Sequence, residues 1–202
     1  MTTFYLIRHG EKDADDQVMV GRTDGIHLTA RGRRQADAIA STLRDVSIAH
    51  VVSSPRERAR ETAEPLAQAH GLHVEVRPAF EELHFGDWTG KTLTELAAVP
   101  EWTAFNAFRS AGQPPDGERM ITVQDRVVGE MLKLRTEFPN RAVAIVSHGD
   151  PIRAALNYFL GSPLDLFHRI EISIGSISVV TLSDREVRIL RLNEVPRLKH
   201  EV

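Results

Sequence analysis

Short apolar runs alternate along this chain with longer stretches in which apolar residues return every three or four positions. The first kind of pattern suits strands and the second suits one face of a helix. Strands are predicted at Phe4–Ile7, His50–Ser53, His73–Val76 and Ala142–Val146, with a terminal antiparallel hairpin from 176–182 and 186–192 around Ser183-Asp184-Arg185. The run Ala142-Val143-Ala144-Ile145-Val146 is uninterrupted, as expected for a strand covered on both faces. A helix capped by Thr29 is expected through Leu43, with Ala36, Ile39, Ala40 and Leu43 on one face. Ser54-Pro55-Arg56-Glu57 reads as a capping box opening a second helix that runs to about Ala69 and stops near Gly71.

Phe80 to Gly90 has no regular period, and two short helical stretches are expected near 93–98 and 101–108. They form a helical insert at about 91–118, closed by the turn-rich Gln113-Pro114-Pro115-Asp116-Gly117. A long helix follows from Met120 to Phe138, striped by Val123, Val127, Met131, Leu134 and Phe138, and another runs from Asp150 to Leu160, stopped by Gly161. Glu11 to Ile26 is a polar loop with five acidic residues, and the last residues read as a loose tail. There is no internal repeat. Alternating strands and helices predict an α/β fold with helices on the faces of a sheet.

Composition narrows this only a little. At 202 residues, with 42% hydrophobic and 26% charged side chains, the chain suits one globular domain with a full core. It contains no cysteine, which excludes disulfides, thiolate metal sites and cysteine nucleophiles and fits the cytoplasm. A net charge of −3 argues against nucleic acid or an acidic membrane as the main partner. The N-terminal apolar run stops at Arg8 without a basic leader, unlike a signal peptide, and no stretch approaches a transmembrane span.

The chemistry begins where two of the strands end. Phe4–Ile7 runs into Arg8-His9-Gly10, and Ala142–Val146 runs into Ser147-His148-Gly149. Ligands of open α/β sheets bind outside the carboxyl ends of parallel strands, so His9 and His148 are candidates for one crevice, with Arg8 making it an anion site. Arg58 lies in the first turns of a predicted helix, whose N-terminus attracts phosphate, and its planar guanidinium matches phosphate oxygens. Glu81 and Glu82 are adjacent carboxylates in a loop bounded by Phe85, Trp88 and glycines, and a carboxyl half-buried there would hold its proton near neutral pH. Taken singly, each has a plainer structural reading: a strand end, surface pairs of Arg56, Arg58 and Arg60 with Glu57, Glu61 and Glu64, or a loop covering the core. The remaining histidines have no metal-ligand spacing, and His70 with His73 reads as a helix end and a strand start.

Together, and in this order, Arg8-His9-Gly10, Leu28-Thr29 with Gly32 and Gln35-Ala36, Ser53-Ser54-Pro55 with Arg58-Ala59 and Thr62-Ala63, Glu82 with Phe85-Gly86, Trp88 and Gly90, and Ser147-His148-Gly149 resemble the histidine phosphatase superfamily, the phosphoglycerate-mutase-like proteins. The resemblance implies a three-layer αβα sandwich over 1–202, with a mostly parallel central sheet and an antiparallel edge strand. It implies a metal-independent phosphatase without cofactor, acting on a small phosphorylated substrate. His9 would take the phosphoryl group as phosphohistidine, and Arg8, Arg58 and His148, with Gly149 beside it, would hold the phosphoryl oxygens. Glu82 would be the general acid, preferred to Glu81 on motif register. A mutase-type phosphotransferase is the alternative, and a non-catalytic protein on the same fold a weaker one. Against the mutase, the insert lacks an adjacent arginine pair, Arg109 standing alone, and the tryptophan–asparagine pair that follows the Arg-His-Gly-Glu signature is replaced by Lys12-Asp13-Ala14-Asp15-Asp16-Gln17. That replacement also removes a loop contact to phosphate, for which Gln17 or Thr23 is the candidate substitute.

Overall fold

The structure is a computed structural model and describes residues 1–198, so the end of the expected tail lies outside the described residues. Its centre is a six-stranded sheet built from β1 (Thr2–Arg8), β2 (Ile48–Ser53), β3 (Val74–Val76), β4 (Ala142–Ser147), β5 (Ile177–Leu182) and β6 (Val187–Glu194), in the order β3-β2-β4-β1-β5-β6. The first four strands in that order are parallel, and the antiparallel edge is the β5–β6 hairpin. The helices are α1 (Ala30–Thr42), α2 (Glu57–Ala69), α3 (Leu93–Ala97), α4 (Pro100–Ala107), α5 (Met120–Glu137) and α6 (Gly149–Leu160).

Strands β1 and β4 are apolar on both sides because both sheet faces are covered. Ile7, Ala144 and Val146 pack with Ile39, Leu43, Ala63 and Leu66 of α1, α2 and the turn after α1. Phe4, Leu6, Val143 and Ile145 pack on the other face with Val127, Met131, Ile152 and Leu156 of α5 and α6. Each of the larger side chains among these gains about 1.5–3 kcal/mol by leaving water, and each alanine less. Edge strand β6 instead leaves Leu190 and Leu192 exposed. Among the described residues no helix is long and apolar enough to cross a membrane.

Two local readings need correction. Ser54 does not cap α2. The helix starts at Glu57 behind an Arg56 N-cap without a side-chain cap, because the Ser54 hydroxyl is engaged by His148. Residues 164–169, for which no element is expected from the sequence, form a 3₁₀ segment against α6. It has too few residues, and too many polar ones, to display a period.

The turn after β1 is fixed from several sides. Gly10 N–H donates to Thr62 Oγ at 3.0 Å, and Glu11 N–H donates to Gln35 Oε1 at 2.8 Å. Gly32, in the first turn of α1, packs so closely that an added Cβ would lie 2.1 Å from Glu11 O. Gly32→Ala is therefore expected to destabilise the protein by about 2–3 kcal/mol. Gly129→Ala, in α5 with nothing near the new methyl, should stabilise by about 0.5–1 kcal/mol. Urea unfolding of the two variants checks both signs.

Candidate active site

In the parallel pair β1–β4, Arg8 stands opposite Ser147, so the next residues, His9 and His148, leave the sheet side by side. Their rings meet edge-on with centroids 5.1 Å apart, and both are buried. Helix α2 starts after the neighbouring strand β2 and brings Arg58, only 1% exposed, between them. His9 and Arg58 open onto a cleft of about 400 Å³, with His148 buried behind them; Arg8, Glu82 and Gly149 line the same end, and Trp102, Asn106, Arg109, Asp150, Arg153 and His168 lie further out.

Hydrogen-bond partners fix the tautomers. His9 Nδ1 lies 2.7 Å from Gly10 O. A carbonyl only accepts, so Nδ1 carries the proton and Nε2 keeps its lone pair. That lone pair receives a long contact from Arg58 Nε at 3.4 Å. His148 is the mirror case: Arg58 Nη2 donates to its Nδ1 at 3.2 Å, which leaves Nε2–H to donate to Ser54 Oγ at 2.7 Å. Burial first, and then the positive charge of Arg58, hold both imidazoles well below their ordinary value.

The two arginines are anchored on backbone. Arg8 Nη1 donates to Ile172 O, and Arg58 Nη2 donates to Gly21 O at 2.7 Å. Arg8 Nε and Arg58 Nη1 remain buried without an acceptor among the described residues. Gly149, first residue of α6, lies against the Arg8 guanidinium, where an added Cβ would be in contact with its central carbon at 3.4 Å. Buried guanidinium donors without acceptors next to a helix N-terminus make an anion cradle.

Glu81 and Glu82 part company at this point. The Glu81 carboxylate pairs with Arg56 at 2.7 Å and faces Arg22 at 3.6 Å. The Glu82 carboxyl points into the cleft, accepting from Leu83 N–H at 2.9 Å, while its backbone oxygen is held by Arg22 and Arg126. Removal from water, reinforced by the negative charge of Asp150, raises Glu82 to about 7. The surface pairing expected for Arg56 is replaced by bonds to Glu81 and Asp24, and Glu61 pairs with His27.

The structure thus brings together Arg8, His9, Arg58, Glu82, His148 and Gly149, the candidate residues named from sequence. Gln17 and Thr23 are exposed and stand outside the cleft lining. The sequence reading missed Lys12, Asp150, Arg153 and His168 as cleft residues, and took Ser54, the partner of His148, for a helix cap. Arg109, noted there only as a lone arginine, proves to be buried on the cleft wall, stacked over Phe105 and Phe167 and bonded to Asn106 and Asp150.

Comparison with known proteins follows the same geometry. The model of the histidine phosphatase superfamily (branch 1) matches residues 4–195. Phosphoserine phosphatase 1 of Hydrogenobacter thermophilus is 31% identical over 203 residues, covering 96% of this chain and 92% of that protein. A probable phosphoglycerate mutase, GpmB of Escherichia fergusonii, is 28% identical over 92% of this chain and 87% of its own. The solved structure of Bacillus stearothermophilus YhfR superposes with a TM-score of 0.91 at 27% identity, covering 98% of this chain and all of that one.

The shifted groups affect stability with opposite signs. His9 and His148 refuse protons that the unfolded chain takes up, so their contribution is lost as pH falls below about 6.5. Glu82 keeps its proton up to about 7 while the unfolded carboxyl ionises near 4.5, so its contribution falls as pH rises through that window. Glu82→Gln should gain stability relative to the parent between about pH 5 and about pH 8, as read by urea unfolding at both.

Proposed function

This chain belongs to the histidine phosphatase superfamily, and on that premise we propose that it hydrolyses phosphate monoesters through a phosphohistidine on His9, without a metal. The observation that carries the reading is the combination in one cleft of a neutral imidazole, whose Nε2 lone pair is met only by a long contact from Arg58 Nε, and two guanidiniums with unused donors. Nε2 attacks phosphorus as the ester oxygen leaves, and Arg8 and Arg58 offset the charge on the equatorial oxygens. Glu82, protonated near neutrality, gives its proton to the leaving alkoxide. As a carboxylate it then takes a proton from the water that attacks the phosphohistidine, releasing phosphate and restoring both groups.

His148 has a part that depends on Ser54. In the free protein its Nδ1 accepts from Arg58. Once Arg58 turns to a phosphoryl oxygen, Nδ1 serves that oxygen only by carrying the proton. The Ser54 hydroxyl, which accepts from Nε2–H or donates to bare Nε2, suits both tautomers. The relatives' names support this class of substrate: one is a phosphoserine phosphatase and another a probable phosphoglycerate mutase. Hydrolysis is favoured over transfer because the insert's single arginine is already committed to Asp150 and Asn106 rather than left for a second acceptor.

His9→Ala is expected to abolish ester hydrolysis and acid-labile phosphorylation together; a variant that still forms the labelled intermediate rules out His9 as nucleophile. Phosphate released rather than relocated from a phosphoglycerate separates phosphatase from mutase. Glu82→Gln should slow alkyl phosphates by about 100-fold or more while sparing activated aryl phosphates. For alkyl phosphates kcat/KM should fall as pH rises past about 7, where Glu82 loses its proton, and the substitution should remove that limb.

A further inference from the structure

Beyond Arg8 and Arg58, the other arginines lining the cleft, Arg109 and Arg153, are already tied to the half-buried Asp150. Lys12 differs. It lines the same cleft, three residues past His9, with its side chain 12% exposed. Its partner is Asp16, on the solvent side of the mouth and 66% exposed. The Lys12 backbone is anchored by a bridge to Leu28, and Asp13 N–H donates to His27 O at 2.8 Å, so the stem starts from a fixed point.

We propose that Lys12 is a further phosphoryl-binding residue, held on Asp16 in the free protein and handed to the phosphoryl oxygens when an ester enters. The inference rests on the phosphatase reading of this cleft. An ion pair with a solvated carboxylate is weak and screened by salt. A phosphoryl group brings up to two negative charges into a less solvated place, where the same ammonium is held more strongly. Lysine suits the exchange, since its ammonium is a point charge with rotatable donors on a flexible stem. The field of Lys12 already reaches His9, adding to that of Arg58 and Arg8. Lys12 thereby supplies from the loop the phosphate contact for which neither Gln17 nor Thr23 is placed. Asp16 becomes its competitor, setting how much of the Lys12 charge is available to substrate.

Calorimetric titration with inorganic phosphate at low salt tests this without relying on turnover. Lys12→Gln should weaken phosphate binding by about 10-fold and raise KM for alkyl phosphates by a similar factor, with kcat nearly kept. Lys12→Arg should restore most of the affinity. Asp16→Asn should tighten phosphate by about threefold in the parent and leave it unchanged in the Lys12→Gln background. The proposal is overturned if Lys12→Gln binds phosphate within about twofold of the parent, or if Asp16→Asn acts equally with and without Lys12. If the parent itself binds no phosphate, the phosphatase reading falls with it; parent binding that is indifferent to Lys12 sinks this inference alone.

Discussion

The site depends on one register. Because Arg8 pairs with Ser147 in adjacent parallel strands, the histidines that follow emerge at the same height and on the same edge of the sheet. A slip of one residue would turn every β1 side chain to the opposite face, exchanging Phe4 and Leu6 with Tyr5 and Ile7 between the two cores. The register is therefore enforced by the whole apolar content of the strand, far from any chemistry. Hydrophobic burial positions His9 and His148, and polar contacts only refine them: Thr62 on the Gly10 turn, and Ser147 Oγ donating to Phe80 O at 2.6 Å, which ties the Glu82 loop to β4.

What the register gathers is electrostatically costly. Two guanidiniums and two imidazoles share a poorly solvated space, and the molecule meets this by leaving both imidazoles neutral. The same crowding that disfavours imidazolium keeps the His9 imidazole neutral, the state that the proposed attack requires. On the cleft wall the balance runs the other way. Glu82 is not drawn down into full ionisation by the arginines, because loss of water and the charge of Asp150 outweigh them. Asp150 is in turn fixed by Arg109 and Arg153, so residues remote from the cradle help set the proton on Glu82.

Sequence pattern made the sheet and its two histidines legible, because an uninterrupted apolar run announces a buried strand and the residue after it inherits a place at the strand's carboxyl end. The α/β class, with helices on the faces of the sheet, followed from the same alternation. Ser54 was misread for a physical reason: a serine before proline, with glutamate three residues on, satisfies the local rule for a helix cap, and nothing local reveals a histidine 94 positions away. Lys12, Asp150 and His168 stayed hidden because they lie on loops, helix ends or a 3₁₀ segment without period, and they meet only through tertiary packing. Glu82 was preferred to Glu81 by motif alone. The structure supplies the physical distinction, since Glu81 is bound by Arg56 and Glu82 is not.

These constraints bear on why such a cleft would release what it binds. A cradle of fixed guanidiniums without counter-charge would hold phosphate tightly and turn over slowly, since binding ground state and transition state equally does not raise kcat. Here several donors already have internal acceptors: Arg58 engages Gly21 O and His148 Nδ1, and Arg109 engages Asp150. On the phosphatase reading proposed above, an arriving phosphoryl group would displace some of these bonds and gain only the difference, and when phosphate left the same acceptors would reclaim the donors. Internal competition of this kind would weaken ground-state binding and would place the balance between affinity and turnover in the residues that compete rather than in those that react.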